Sequence, residues 1–569
     1  MKYFLAGMRG GLAAACLTLM LLAGPGARAQ APAWQSAVAT LTTSTSTPSR
    51  ITATVPDGNG NVYMAGYFEG TANFGSTMLT SAGNSDGFVA KWNIASARFV
   101  WVLPAGGTGQ DQVMALATDG PNVYVTGYFA DAAASFGPFI LNNVRDHDGF
   151  VAKVADSGAT GSFVWVQALG GPGREEAAAI AVRGPTLYVA GSFDDNVLFG
   201  STALATAGSA DVFVTALADQ GTGGAVTWAR RAGGSDYDYA AAVAVNGTSV
   251  YVGGAFLSPT LTVGSTVLTN TNNNVDTFVA KLTDAGSSGS FVWGQRAGGT
   301  GTDAIRALAV NGTSVYLAGS FVGSATVGSA TLTSAGLLDM FVAKLTDAGS
   351  SGSFAWAQRA GGTDNDQAVG LALSPGSVYV TGNFKNTADF GPATLTSAGN
   401  YDGYVARIAD TGSNSSFAWT LRAGGPDIDA PVSVAIIGNA LYVAGYVTPP
   451  ASFGSAVVNA PAGTRASFLA ALSDPTLTAT TPALAGAAFT LAPNPARAST
   501  TVTLPALPGA ATATLLLRDA LGRTIRTATV ALPPAGLRHE LSLAGLAPGL
   551  YALQVRAGEA TATRRLVVE

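Results

Sequence analysis

Six acidic residues recur in this 569-residue chain at one fixed place, ten residues after a tryptophan. They are Asp111, Glu175, Asp238, Asp303, Asp366 and Asp429, following Trp101, Trp165, Trp228, Trp293, Trp356 and Trp419. Carboxylates at equal intervals could hold a hard cation such as Ca2+ through oxygen ligands or receive a basic or hydroxyl-rich ligand. They could also supply the acid/base pair that cleaves a glycosidic bond, but a uniform set offers no two carboxylates with divided roles. A third reading is structural: each carboxylate accepts turn N–H groups at its own Gly-Gly corner and fastens one repeat to the next. A residue present in every repeat usually serves the repeat, so fastening leads and ligand binding follows. Counting ten from Trp34 reaches Ser44, which leaves the set at six acids.

Other chemistry is sparse. The two histidines, His147 and His539, do not recur, and His147 lies in the polar loop Asn143–Asp148, which reads as solvated rather than as part of a Ser-His-Asp triad. No H-E-x-x-H, P-loop or EF-hand spacing occurs. Cys16 is the one cysteine and falls in a segment that reads as an export signal, so the mature chain would have no disulfide or thiolate. No catalytic residue is assigned, and Ca2+ at the acid ring is the one cofactor the pattern admits.

The elements that would position these acids are repeats. The phrase V/L-Y-V-A/T-G-x-F, with small variations, places its tyrosine at Tyr63, Tyr124, Tyr188, Tyr251, Tyr316, Tyr379 and Tyr442, with spacings of 61, 64, 63, 65, 63 and 63. A tryptophan precedes each of the last six by 23 residues, and Trp34 stands as the seventh of that set with a longer gap. In the copy from Asp303 to Arg359, strands are expected at Ala304–Val310, Ser314–Phe321, Asp339–Leu345 and Ser353–Gln358, with Asn311-Gly312-Thr313 as a turn. Four antiparallel strands per repeat describe one propeller blade, with a long loop between its second and third strands. Such a blade cannot bury both faces alone, so its neighbours must cover it, and the recurring Tyr, Phe and Trp are the expected filler. The last repeat stops without a Trp strand, while Ala33–Ser36 is a Trp strand with no blade before it. The N-terminal strand is therefore expected to complete the last blade and remove the open sheet edges. Long loops such as Asp194–Asp211 and Leu257–Asp276 would form a recognition face. An outer-membrane barrel fits less well, because its strands should recur singly, in alternating segments of about ten residues.

Charged residues make up 11% of the chain and the net charge is -5, so no basic face for nucleic acid is expected. At the N-terminus, Lys2 and Arg9 precede the uncharged run Gly11–Ala23, and Ala27-Arg28-Ala29 before Gln30 is an A-x-A cleavage site. The run falls short of the roughly 20 residues that span a bilayer, so no integral membrane span is expected after signal removal.

Copies such as Gly376-Ser377-Val378-Tyr379-Val380-Thr381-Gly382-Asn383-Phe384 and Asp148-Gly149-Phe150-Val151-Ala152-Lys153 resemble the bacterial seven-bladed β-propeller repeat. The resemblance implies the fold and says little of function. After a Thr/Ala/Pro linker, Pro493-Asn494-Pro495, Asp519 with Gly522-Arg523, and Gly549 with Tyr551 fall in the order P-N-P, D-x-x-G-R, L-x-x-G-x-Y. These elements resemble the C-terminal sorting domain of the type IX secretion system. The resemblance implies that machinery as a partner and a Bacteroidetes-type bacterium, with surface attachment or release. One departure is the ending Val568-Glu569, where family members often finish on lysine.

The expected fold is all-β: a seven-bladed propeller closed by an N-terminal strand, then a small Ig-like β-sandwich. The expected segments are a signal peptide (1–29), propeller (30–474), linker (475–488) and sorting domain (489–569). The expected function is a secreted or cell-surface, non-enzymatic binding or adhesion module with a glycan or envelope-protein ligand. The rival is an extracellular polysaccharide hydrolase or lyase using the channel-mouth carboxylates.

Overall fold

The computed structural model describes residues 31–43, 49–130, 132–143, 146–270, 272–459, 465–477, 489–504, 512–519, 524–533, 536–557 and 560–569. The signal segment, Cys16, Ser44, Gly522 and Arg523 lie outside them. The described residues are all-β, and no helix is long and apolar enough to cross a membrane.

Each repeat folds as a four-stranded antiparallel unit in simple meander order. The second unit, for example, runs Gln112–Asp119, Asn122–Phe129, Asp148–Asp156, Gly161–Leu169. The last unit takes Ala430–Ile437, Ala440–Val447 and Ala466–Ser473 from the end of the repeat region and its fourth strand, Ala33–Thr43, from the start of the chain. The first strands stand side by side in chain order, and the last of them, Ala430–Ile437, packs on the first, Arg50–Pro56. The Thr54 and Ser433 hydroxyls meet there at 2.8 Å. The first strands thus close a ring around a narrow bore.

One motif glycine shapes that bore. Each first strand has a one-residue bulge opposite the glycine of V-Y-V-A-G-x-F. A Cβ on Gly127 would lie 1.9 Å from the Gln112 carbonyl oxygen, and one on Gly382 would lie 1.8 Å from that of Gln367. Only glycine lets the bulged backbone come so close, and the bulge turns one extra side chain per unit towards the axis.

The loops between second and third strands are built as hairpins with one face packed on the ring and the other exposed, as at Leu198 and Val267. In Asp194–Asp211 they fold into the hairpin Val197–Phe199/Thr202–Leu204, and in Leu257–Asp276 into Thr260–Val263/Thr266–Thr269. Phe199, Leu261 and Val263 are buried between units, because a short two-stranded hairpin is stable only with one face covered. Several hairpins also pair with the end of the preceding unit, as Ser135 does with Gly106 and Thr262 with Gly233.

Register corrects one reading of Trp34. The recurring tryptophans face the lysine position of the third strand, as Trp165 faces Lys153. In the last unit Ser36 faces the corresponding Ala471, while Trp34 faces Leu472. Trp34 therefore occupies the place of Phe163 and Phe417 and packs edge-on against Phe453 (5.2 Å, 89°), as Phe163 does against Phe136 (5.7 Å, 89°). The bulky aromatic character matched; the position did not, because Trp34-Gln35-Ser36 replaces the Phe-x-Trp of the other units across the bulge they share.

The C-terminal segment forms a separate apolar cluster around Phe489, Val502, Leu517 and Leu566 under two small sheets. Asn494 ties its entry to the terminal strand, donating to the Arg565 carbonyl (2.7 Å) and accepting from Val567 N–H (2.9 Å). The Pro493 carbonyl accepts from the Thr500 hydroxyl and the Tyr551 hydroxyl donates to the Ala547 carbonyl.

Candidate ligand-binding site at the mouth of the bore

The six recurring acids do not reach the mouth. Their exposures are 0–1%, and each accepts a backbone N–H from the second glycine or equivalent residue of its corner: Gly107 to Asp111, Gly171 to Glu175, Gly234 to Asp238, Gly299 to Asp303, Gly362 to Asp366 and Gly425 to Asp429, at 2.5–2.8 Å. The corresponding residue of the first unit is Ser49, which precedes its bulge by the same interval; the count to Ser44 misses it because the chain is longer there.

Each acid also neighbours a second buried aspartate, the first residue of the preceding unit's third strand. A Cβ on Gly361 would come within 3.0 Å of both Asp339 and Asp366, so the corner glycine, at φ 146°, admits both carboxyls. Four of these aspartates carry an arginine: Arg231 on Asp211, Arg296 on Asp276, Arg359 on Asp339 and Arg422 on Asp402, at 2.5–2.7 Å. Burial raises the acids of the corners: Asp148 and Asp238 to about 6, Asp303, Asp366 and Asp429 to about 7, and Glu175 to about 8. A carboxyl buried beside another carboxyl resists ionisation. The arrangement seats six separate acid pairs between units, and among the described residues no group of three or more His, Asp or Glu is placed to hold a metal ion.

A second set of carboxylates, not singled out by the sequence reading, works at the other end of the third strand. Asp347 accepts Lys281 Nζ (2.5 Å), Tyr251 Oη (2.7 Å) and Trp293 Nε1 (3.1 Å), all from the preceding unit. The set recurs at Asp156, Asp219 and Asp410. Arg183 and Arg407 stand in for the lysine at Asp284 and Asp474, at 3.4 and 3.9 Å. Burial pushes these carboxyls up, but the hydrogen bonds more than offset it and the net shift is downward. The signal was present in the sequence, an aspartate eight residues after the D of D-x-F-V-A-K. The seam between last and first units lacks the set: Ile94, Ser36 and Ala471 hold its positions, and Ile94 joins an apolar cluster with Tyr442 and Leu469.

What lines the mouth includes the neighbours of three of the acids. Strand side chains alternate, so with Asp111, Glu175 and Asp238 turned into the corners, Gln112, Glu176 and Tyr239 face the bore. Together with Arg50, Tyr67, Ser192, Tyr237 and the bulge residues Thr52, Met114, Ala178, Ala241, Arg306, Val369 and Val432, they line a cavity of about 710 Å3. It narrows into a bore of about 270 Å3 lined mainly by Ala, Val, Leu and Ile. The wall is asymmetric: Arg50, Gln112, Glu176 and Tyr239 of the first four units line it, whereas Ala304, Gln367 and Ala430, which hold this place in the units that follow, are not among the lining residues. Tyr237 and Tyr239 pair at 5.8 Å, and Glu176 is held by Arg174. His147 is not among the residues lining this cavity; its Nδ1 is 2.7 Å from Asp146 and its ring is edge-on to Tyr128 at 5.1 Å, and His539 sits on a strand of the C-terminal segment.

Comparison with known proteins gives three results. Residues 490–569 match the family model of a secretion system C-terminal sorting domain. The chain is 25% identical over 417 residues to the regulatory protein FlaEY of Caulobacter vibrioides, covering 68% of this chain and 42% of that protein, so it spans less than half of that relative's length. Among solved structures, Trypanosoma rangeli sialidase in complex with the inhibitor DANA is similar at TM-score 0.29 and 11% identity, covering 79% of this chain and 83% of that one. The same sialidase as a covalent intermediate with 2,3-difluorosialic acid reaches TM-score 0.33 at 10% identity, covering 91% and 83%. The sorting domain marks a protein exported by type IX secretion and either attached to the cell surface or released.

Proposed function

We propose that this chain is a secreted or surface-displayed seven-bladed propeller, led out by a cleaved signal peptide, whose channel mouth binds a glycan without turning it over. The C-terminal segment serves as the Ig-like sorting module. One observation carries the reading: a structural ring of near-identical units has an asymmetric mouth, with Arg50, Gln112, Glu176 and Tyr239 from its first four units and Arg306 set between Ala and Val from the others. Repetition explains the buried locks; it does not explain side chains that differ from unit to unit at one exposed opening. A cavity of this size, part apolar and with a few polar groups, suits a small ligand or the end of a larger one.

The hydrolase or lyase alternative draws no support from the six recurring acids, which are inaccessible. Glu176, the one carboxylate among the lining residues, is paired with Arg174, whereas glycoside cleavage calls for two carboxylates across the bond. A glycan array run beside turnover assays on the purified full chain tests the proposal. Binding without new reducing ends or unsaturated products supports it, and released product would install the enzyme in its place.

A further inference from the structure

Within that reading of the mouth, we infer that the ligand is an acidic sugar, a uronate-bearing oligosaccharide whose carboxylate meets Arg306 and Arg50 while a ring face rests on Tyr237 or Tyr239. The charges at the opening are the ground for this. Four arginines on this side of the ring are spent: Arg231, Arg296, Arg359 and Arg422 each hold a buried aspartate. Arg306 is different. It occupies a bulge position, where the other six units carry Thr, Met, Ala, Ala, Val and Val, and its exposed side chain has no ion pair or hydrogen bond among the described residues. Arg50 lies across the same cavity, with its Nε buried and lacking a hydrogen-bond partner and its guanidinium carbon 4.8 Å over the Tyr446 ring.

Two guanidinium groups without carboxylate partners are thus presented at the opening, where the one lining carboxylate, Glu176, is held by Arg174, on a chain whose net charge is -5. A guanidinium offers a planar fork of N–H donors that matches a carboxylate or sulfate and recognises a neutral hydroxyl less well. Tyr237, 45% exposed, and Tyr239 add apolar ring faces with polar tips, the surface on which the C–H face of a pyranose rests. An acidic protein segment would supply carboxylates too, but the part-apolar, narrowing cavity and its paired tyrosines favour a ring over an extended chain.

The test is calorimetric titration of the full chain with trigalacturonate, its fully methyl-esterified form and a sulfated, uronate-free galactose trisaccharide. Trigalacturonate is expected to bind, with the methyl ester weaker by about tenfold or more, the value of one charge-assisted hydrogen bond. Arg306→Ala, exposed and so harmless to folding, should lose a similar factor, and Arg306→Lys should recover part of it. Equal binding of ester and acid would overturn the inference and leave the glycan reading standing. Stronger binding of the sulfated sugar would overturn the uronate assignment in favour of sulfate. If no trisaccharide binds but a polyglutamate peptide does, both this inference and the glycan reading fall.

Discussion

Replacing Asp303 with asparagine should make the ring of repeats more stable in alkaline solution, although a buried acid hydrogen-bonded to backbone is being removed. Asp303 is 1% exposed; its Oδ2 accepts Gly299 N–H at 2.8 Å, while its Oδ1 and the Oδ1 of neighbouring Asp276 have no hydrogen-bond partner. Burial first, and then the Asp276 charge, lift its carboxyl from 3.8 to about 7. The folded state therefore binds this proton more tightly than the unfolded chain. The stability it contributes is complete below about pH 4 and is lost as pH rises through about 7. Three pH units at about 1.36 kcal/mol each give a loss on the order of 4 kcal/mol by pH 9. Asparagine keeps an oxygen for Gly299 and supplies N–H donors to Asp276 without a proton to lose. Urea unfolding followed by tryptophan fluorescence should therefore show Asp303→Asn close to the parent at pH 5 and more stable at pH 9. Asp303→Ala should be weaker than Asp303→Asn at both by about 1–3 kcal/mol, the cost of a buried donor left unmet. If Asp303→Asn is destabilised equally at pH 5 and pH 9, the carboxyl is ionised in the fold and the reasoning about the corners fails.

Three further outcomes follow from the same geometry. Asp347→Ala strands Lys281, Tyr251 and Trp293, and should cost about 3–5 kcal/mol, read as a lower urea midpoint; an unchanged midpoint would remove the lock from the account. In hydrogen exchange, the opening strand Ala33–Thr43 should exchange faster than fourth strands such as Gly289–Gly299, because its seam lacks the Lys-Tyr-Trp-Asp set; equal protection would contradict this. A chain truncated before residue 490 should accumulate in the periplasm on cell fractionation, and its appearance in the medium or on the surface would count against the sorting role.

The repeating part of this molecule was legible because repetition amplifies weak local signals. Turn residues such as Asn311-Gly312 and alternating stretches such as Ser314–Phe321 gave strands where strands lie, and the orphan segment at Ala33 pointed to its pairing with Ala466–Ser473. The side chains that face the mouth were not legible. Asp238 and Tyr239 are adjacent, and which of them meets solvent depends on a bulge two residues further on, a backbone feature that composition does not announce. The periodic acids drew the eye because they recur; residues of a site that occurs once, such as Arg306 and Tyr237, have no repeat to mark them. Trp34 was misplaced for a different reason: Trp34-Gln35-Ser36 stands where Phe163-Val164-Trp165 stands in the second unit, so residue type alone put the tryptophan at the wrong end of a bulge that both units share.

The central claim is that recurring carboxyls hold the ring while the unrepeated residues at its opening bind the ligand. Trigalacturonate titration of the parent chain, Arg306→Ala and Asp303→Asn in parallel at pH 6 sets these two groups against each other. The account predicts that Arg306→Ala loses about tenfold or more in affinity while Asp303→Asn binds like the parent. Loss of binding in Asp303→Asn with Arg306→Ala unaffected would place the ligand at the acids and contradict it.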